Sequence, residues 1–170
     1  MKALTVTKAS VSDIPFIQNL ETRAFGFTWD EATFSRELDR QNGSTVVARL
    51  GQKPIGSALL AWAADEVQLN SIVLAEDFRG KGLSQWFLGT LMAWRQASGC
   101  AWFTLEVKRD NPPAHRLYRR MGFVTTAFRS KYYRDGQDAR IMWAGHLQSS
   151  THREALSRYR QSASALGRIS

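Results

Sequence analysis

Glu106 stands in "WFTLEVK", residues 102 to 108, where alternation puts Trp102, Thr104 and Glu106 on one strand face. Phe103, Leu105 and Val107 fill the other face, so Glu106 is a carboxylate within an otherwise apolar strand. It is either an exposed or ion-paired charge, or a general base placed to take a proton. Tyr118 shares helical spacing with Ala114, Leu117 and Met121, which fits core packing. Its hydroxyl is also a proton donor suited to a leaving group. Asn111 precedes Pro112 and Pro113 and begins the same helix, as a cap or as an amide facing a ligand.

A third group lies upstream in "VLAEDFRGKGLSQWF". An apolar strand ends, Arg79-Gly80-Lys81-Gly82 follows, and an amphipathic helix starts. Glycines there let backbone N–H groups converge without Cβ obstruction. The first N–H groups of a helix lack internal partners, and the helix dipole adds positive potential. Arg79 and Lys81 contribute full charges, so the turn suits a phosphate. The plainer reading is a tight turn with solvated cations. The dinucleotide pattern G-x-G-x-x-G fails at Gln85, and the mononucleotide loop G-x-x-x-x-G-K-[ST] is absent. What remains is R-x-x-G-x-S, from Arg79 through Gly82 to Ser84.

Positioning these groups takes a mixed sheet. "LTVTKAS" reads as a strand, and "SVSDIPFIQNLETRAF" as a helix opened by Ser12 or Asp13 with Pro15 in its first turn. "FGFTW" breaks that helix, and Asp30 caps the next, "DEATFSREL". "STVVARL" and "IGSALLAWAA" form a hairpin, and "EVQLNSIVL" is a further strand. A helix over 83–97, the strand at 101–108 and a helix over 111–121 follow, the last ended by Gly122. "FVTTAFRSKYY" and "ARIMWAGHL" are closing strands joined around Asp135-Gly136. The order β, α, α, β, β, β, α, β, α, β, β implies a mixed α/β sheet, mostly antiparallel, with one parallel pair and helices on both faces. From residue 148 the chain turns rich in Ser and Arg. Residues 1–147 are therefore assigned as one domain and 148–170 as a basic tail, frayed or disordered, outside the core.

With 170 residues the chain can bury a core without disulfides or metal. The one cysteine, Cys100, cannot form an intramolecular bridge and is expected to be buried and inert. No cation-then-apolar leader or membrane-length apolar run is visible, so a soluble, cytoplasmic protein is expected. The net charge of +8 admits nucleic acid, ribosomal surfaces, acidic lipid or a polyanionic small molecule as partners without choosing among them. His115, His146 and His152 show no metal-ligand spacing with acids or Cys100, so no metal is expected.

The R-x-x-G-x-S turn after a strand resembles the acetyl-CoA pyrophosphate motif of the GNAT superfamily of N-acetyltransferases, R/Q-x-x-G-x-G/A. The element order is similar to that fold across roughly residues 3 to 147. The resemblance implies that backbone N–H groups of Gly80, Lys81, Gly82, Leu83, Ser84 and Gln85 hold the pyrophosphate. It also implies that Ile72, Val73 and Leu74, on a strand splayed from its parallel partner, bond the pantetheine arm and polarise the thioester carbonyl. Ser84 departs from the usual Gly or Ala; because Ala serves there, a positive φ is not required and serine is expected to fit. "LEVKRDNPPAHRLYRRMGF" further resembles the L-E-V-R-x-S-N-x-x-A-x-x-L-Y-x-x-x-G-F block of the ribosomal-protein-alanine N-acetyltransferases, with Asp110 for the usual Ser. "RSKYYRDGQDARIMW" and "ETRAFGFTWDEATFSREL" match two further blocks of that subgroup, with Lys131 in place of an Asn. The resemblance makes Glu106 the base, Tyr118 the acid and Asn111 a cofactor contact.

The implied reaction is direct acetyl transfer from acetyl-CoA to an amine within a ternary complex. Trp29, Tyr132 and Tyr133 are candidate walls of a peptide cleft, or simply packing residues. A peptide α-amine has a pKa near 7.7–8.0 and a lysine near 10.4, so freeing the amine at neutral pH costs about 1 against about 4–5 kcal/mol. That favours a protein N-terminus, and the resemblance points to the N-terminal alanine of a small-subunit ribosomal protein. The alternatives are a lysine or small-molecule amine acceptor, or a non-catalytic acetyl-CoA-sensing module on the ribosome or RNA. No RNA-reading motif is present, and no specific nucleic-acid or membrane partner is expected.

Overall fold

In the computed structural model, residues 2–163 and 166 are described. Strand β1, Leu4–Lys8, leads through a 3-10 turn at Val11–Asp13 into α1, Ile14–Phe25. Asp13 is its N-cap residue and Pro15 sits in its first turn, where the missing N–H costs nothing. Gly26 ends it at φ 78°, a left-handed conformation that glycine adopts freely. Helix α2, Glu31–Leu38, is capped by Asp30, which accepts from the Thr33 N–H at 2.7 Å. Strands β2, Gly43–Leu50, β3, Lys53–Ala63, and β4, Glu66–Leu74, form a meander, and α3, Leu83–Ala97, follows. Strand β5, Trp102–Lys108, α4, Pro112–Arg120, β6, Val124–Arg129, and β7, Ala139–Ala144, complete the sheet.

The seven strands lie in the order β1-β2-β3-β4-β5-β7-β6, and every neighbouring pair is antiparallel except β4–β5. This is the mixed, mostly antiparallel sheet expected from the order of elements. The parallel pairing runs only from Glu66↔Trp102 to Leu69↔Leu105. There β4 carries a bulge: Leu60 pairs with Leu69 but Leu59 pairs with Ser71, leaving Asn70 as the extra residue. A bulge bends its strand away from the ladder. Residues 70–74 thus part from β5 while staying bonded to β3 as far as Gly56↔Leu74.

One face of the sheet is covered by α1 and α2, whose Ile14, Ile17 and Phe34 pack on Val47 and Leu59. The other carries the larger core, with Phe87, Leu88 and Leu91 of α3 against Val67, Leu69, Phe103 and Leu105. Tyr118 and Met121 join that second core from the α4 side.

The region from 148 departs from expectation. Residues Ser150–Ser157 form α5 and Arg160–Ala163 form α6; part of the expected tail, 164, 165 and 167–170, lies outside the described residues. Leu156, Tyr159, Ala163 and Leu166 are buried in the main core. The Tyr159 ring seats on Gly89 in the middle of α3, where an added Cβ would meet ring carbons at 2.5 Å. Trp86 Nε1 donates to Ser162 Oγ at 3.1 Å across the same contact. A sparse stripe among Ser and Arg conceals this face, because average composition is polar while the spacing of its few apolar residues is helical.

Candidate active site

The Gly-rich turn is built to leave donors unspent. Helices α2, α4 and α5 begin with Asp30, Asn111 and Ser149, each accepting from the N–H three residues on. Helix α3 begins instead with Gly82, at φ 76°, which offers no capping side chain. Gly80 is also left-handed, at φ 71°, and a Cβ added to either glycine would meet nothing within 4 Å. No capping side chain takes up the first-turn N–H groups at the positive end of this 15-residue helix. These residues fit a pyrophosphate: N–H donors, a helix dipole and no side chain in the way. Arg79 Nε donates to the Leu74 carbonyl at 2.9 Å, and Lys81 Nζ to the Asp77 carbonyl at 2.7 Å, so both cations also close the turn over the end of β4. Ser84 occupies the second residue of α3 and is not among the positive-φ residues.

Ile72, Val73 and Leu74 lie on the splayed end of β4, with the edge that faced β5 no longer in a ladder. Such an edge presents backbone N–H and C=O groups to an extended ligand arm. Asn111 acts as the cap of α4, its Oδ1 accepting from the Ala114 N–H at 3.3 Å.

Across the splay, Glu106 is 17 % exposed at its side chain and meets Arg129 at 2.8 Å. Glu106 is thus ion-paired, one of the alternatives that its place in the apolar strand left open. The partner comes from the end of β6, which the strand's own pattern cannot reveal. Tyr132 also hydrogen-bonds Glu106, and that bond to a carboxylate raises the Tyr132 pKa. Tyr133 lies at 5.2 Å from Tyr132, edge to face, and burial with the neighbouring Glu106 charge pushes it up to about 12. Tyr118 is 8 % exposed, and burial followed by the Tyr133 charge pushes its phenol up to about 12. A phenol so placed stays protonated and can donate throughout the neutral range. Glu106, Tyr132 and Tyr133 therefore form one group, and Tyr118 lies close enough to Tyr133 to feel its charge while its ring packs on Phe123 at 5.7 Å. Tyr132 and Tyr133 sit in the loop after β6 rather than on the strand.

Trp29 reaches this side from the loop after α1, 37 % exposed and tilted against Phe34 at 5.4 Å. Gln18 Nε2 holds the Trp29 carbonyl at 3.0 Å. Phe27 in the same loop carries the Arg134 guanidinium over its ring at 4.7 Å, so the loops after α1 and β6 meet. Arg129, Arg134 and Phe27 lie within the matched blocks, which gave them no role of their own.

Cys100 is 2 % exposed, and burial pushes its thiol up to about 11, in keeping with an inert role. Among the described residues no three His, Cys, Asp or Glu side chains gather in a metal-holding group, and no helix is long and apolar enough to cross a membrane.

The chain resembles known proteins in sequence and in fold. The chain is 29% identical over 142 residues to the ribosomal protein bS18-alanine N-acetyltransferase of Escherichia coli, covering 82% of this chain and 95% of that one. The Salmonella typhimurium protein of the same name is 30% identical over 142 residues, covering 81% and 95%. The crystal structure of the Escherichia coli ribosomal-protein-S18-alanine N-acetyltransferase superposes with a TM-score of 0.76 at 28% identity, over 85% of this chain and 94% of that one. A spermidine N-acetyltransferase from Vibrio cholerae reaches the same TM-score at 20% identity, covering 85% and 95%, a likeness of fold. The protein is an acetyl-CoA-dependent N-acetyltransferase. The acetyltransferase (GNAT) family profile matches residues 14–123, spanning the anion turn, Glu106 and Tyr118, and the chain belongs to that family.

Proposed function

We propose that the protein acetylates the N-terminal α-amine of a protein, with the N-terminal alanine of a small-subunit ribosomal protein as acceptor. The observation that carries this is the pair Tyr132 and Tyr133 beside Glu106, with the Phe27–Arg134 contact joining their loop to the one that carries Trp29. A bridged approach suits a single extended chain end better than a lysine in the middle of a folded surface. The lower cost of deprotonating an α-amine agrees with a single carboxylate base. The relatives at 29–30% identity carry the ribosomal acceptor in their names, which supports the finer assignment.

Acetyl-CoA, when bound, supplies the thioester carbon that is attacked. In this reading the N–H groups of residues 80–85 and the charges of Arg79 and Lys81 hold its phosphates. The free edge of Ile72–Leu74 and the Asn111 amide align the arm. Glu106 takes the proton lost by the attacking amine as the N–C bond forms. Tyr118 gives its proton to the sulfur as the C–S bond breaks. Trp29, Tyr132 and Tyr133 orient the acceptor, and holding both reactants together supplies much of the acceleration.

The test is acetyl-CoA turnover against a peptide with a free N-terminal alanine, the same peptide with its α-amine blocked and a lysine inside, and spermidine. Turnover of the first alone is expected; turnover confined to the others would overturn the reading.

A further inference from the structure

Glu21 is an acid where the fold has little room for one. It lies on the buried stripe of α1 with Ile14 and Ile17, and is 7 % exposed. Each carboxylate oxygen has one partner. Oε1 accepts from the Ser71 hydroxyl at 3.2 Å, and Oε2 accepts from the Thr28 hydroxyl at 3.2 Å. Burial raises its pKa, while the two donated hydrogen bonds oppose the rise. A buried carboxylate costs stability unless its oxygens are satisfied, so both contacts are needed for it to persist.

Those partners are distant in sequence but adjacent to the two halves of the proposed site. Ser71 is the first residue after the Asn70 bulge, at the point where β4 leaves β5, and it directly precedes Ile72–Leu74. Thr28 directly precedes Trp29 in the loop that joins Arg134 through Phe27. Ser71 pairs with Leu59, whose side chain packs under α1, so Glu21 reaches both groups from above the same sheet face.

We propose that Glu21 is a positioning residue, whose carboxylate fixes the spacing between the splayed cofactor strand and the aromatic acceptor loop by accepting one hydrogen bond from each. The acceptor half of this rests on the peptide-cleft reading above. The geometry makes the carboxylate's shape, rather than its charge, the operative property. A glutamine there accepts from one hydroxyl through its oxygen and donates to the other through its amide.

The test compares Glu21→Ala, Glu21→Gln, Thr28→Val, Ser71→Ala and Glu21→Ala/Thr28→Val in steady-state acetylation of a short peptide with a free N-terminal alanine. Glu21→Ala is expected to raise the acceptor KM about tenfold, from two lost hydrogen bonds. Glu21→Gln should recover most of that loss, and the double variant should be no worse than Glu21→Ala. Wild-type kinetics in Glu21→Ala, a Glu21→Gln variant as poor as the alanine, or additive losses in the double variant would each overturn the proposal. Hydrogen exchange on the unliganded proteins provides a readout that needs no acceptor. In Glu21→Ala the amides of 26–29 and 71–74 should exchange faster together, and unchanged exchange in either segment would also overturn it. Should the wild type reject the peptide, the peptide reading fails and the exchange result still decides the role of Glu21.

Discussion

The guanidinium of Arg134 lies 4.7 Å over the ring of Phe27, and with that contact two loops separated in sequence by strands β2 to β6 become one rim. An exposed cation–π contact contributes about 0.5–1 kcal/mol, enough to hold a rim but not to lock it. Replacing Arg134 with Ala should therefore widen the approach to Glu106 rather than abolish activity. The expected outcome is a several-fold fall in the preference for a free N-terminal alanine over an internal lysine, read from kcat/KM for matched peptides. An unchanged ratio would show that the contact does not select acceptors.

Replacing Glu106 with Gln should lower kcat about 10²–10⁴-fold at neutral pH, the range of a positioned acid–base group. Acetyl-CoA affinity should stay close to wild type, since the carboxylate faces Arg129 and Tyr132 rather than the anion turn. Calorimetric titration with the cofactor and single-turnover rates separate the two effects.

Gly82 begins α3 in the left-handed region with open space where a side chain would go. A valine there brings both backbone strain and bulk into the anion cradle. Acetyl-CoA affinity should fall at least about tenfold, while the acceptor KM at saturating cofactor moves little. Equal affinity in the variant would remove the turn from the cofactor site.

Alkaline pH should destabilise the fold through two buried groups and a half-buried one. Cys100 is raised to about 11 from an ordinary value of 9.0, and Tyr118 and Tyr133 to about 12 from 10.0. Between each pair of values the unfolded chain has lost the proton and the folded one retains it, so the unfolded state gains as pH rises. The stability from these groups is fully present below pH 9 and declines through the window up to about 12. Thermal melting from pH 8 upward should show a falling Tm, and Tyr118→Phe should flatten the upper part of that slope.

Replacing Leu156 with Ala should cost about 2–4 kcal/mol of stability, the usual range for emptying a buried leucine site. Chemical denaturation of the full chain measures this. No change would mean that α5 does not belong to the cooperative unit.

Much of the fold could be read because its punctuation is local. Strand β4 and helix α3 fall at 66–74 and 83–97 as expected, the helix starting directly after Gly82. Asp30 and Asn111 cap their helices as their residue types suggest. What escaped depends on contacts between segments far apart in the chain. Arg129 reaches Glu106 from another strand, and Arg134 meets Phe27 from across the sheet. Glu21 left a trace, an acid on the Ile14–Ile17 stripe, but its meaning needed Ser71 beside it. The last helices were obscured for another reason: Leu156, Tyr159 and Ala163 keep helical spacing within a stretch whose average composition is polar.

The missing Cβ at Gly89 gives those last helices a socket midway along α3. Tyr159, seated there, also touches Gln85 at 3.4 Å, one turn from the Gly-rich end of the rod. Helices α5 and α6 are thereby fastened to the helix whose first turn makes the proposed phosphate cradle, on the sheet face opposite α1 and α2.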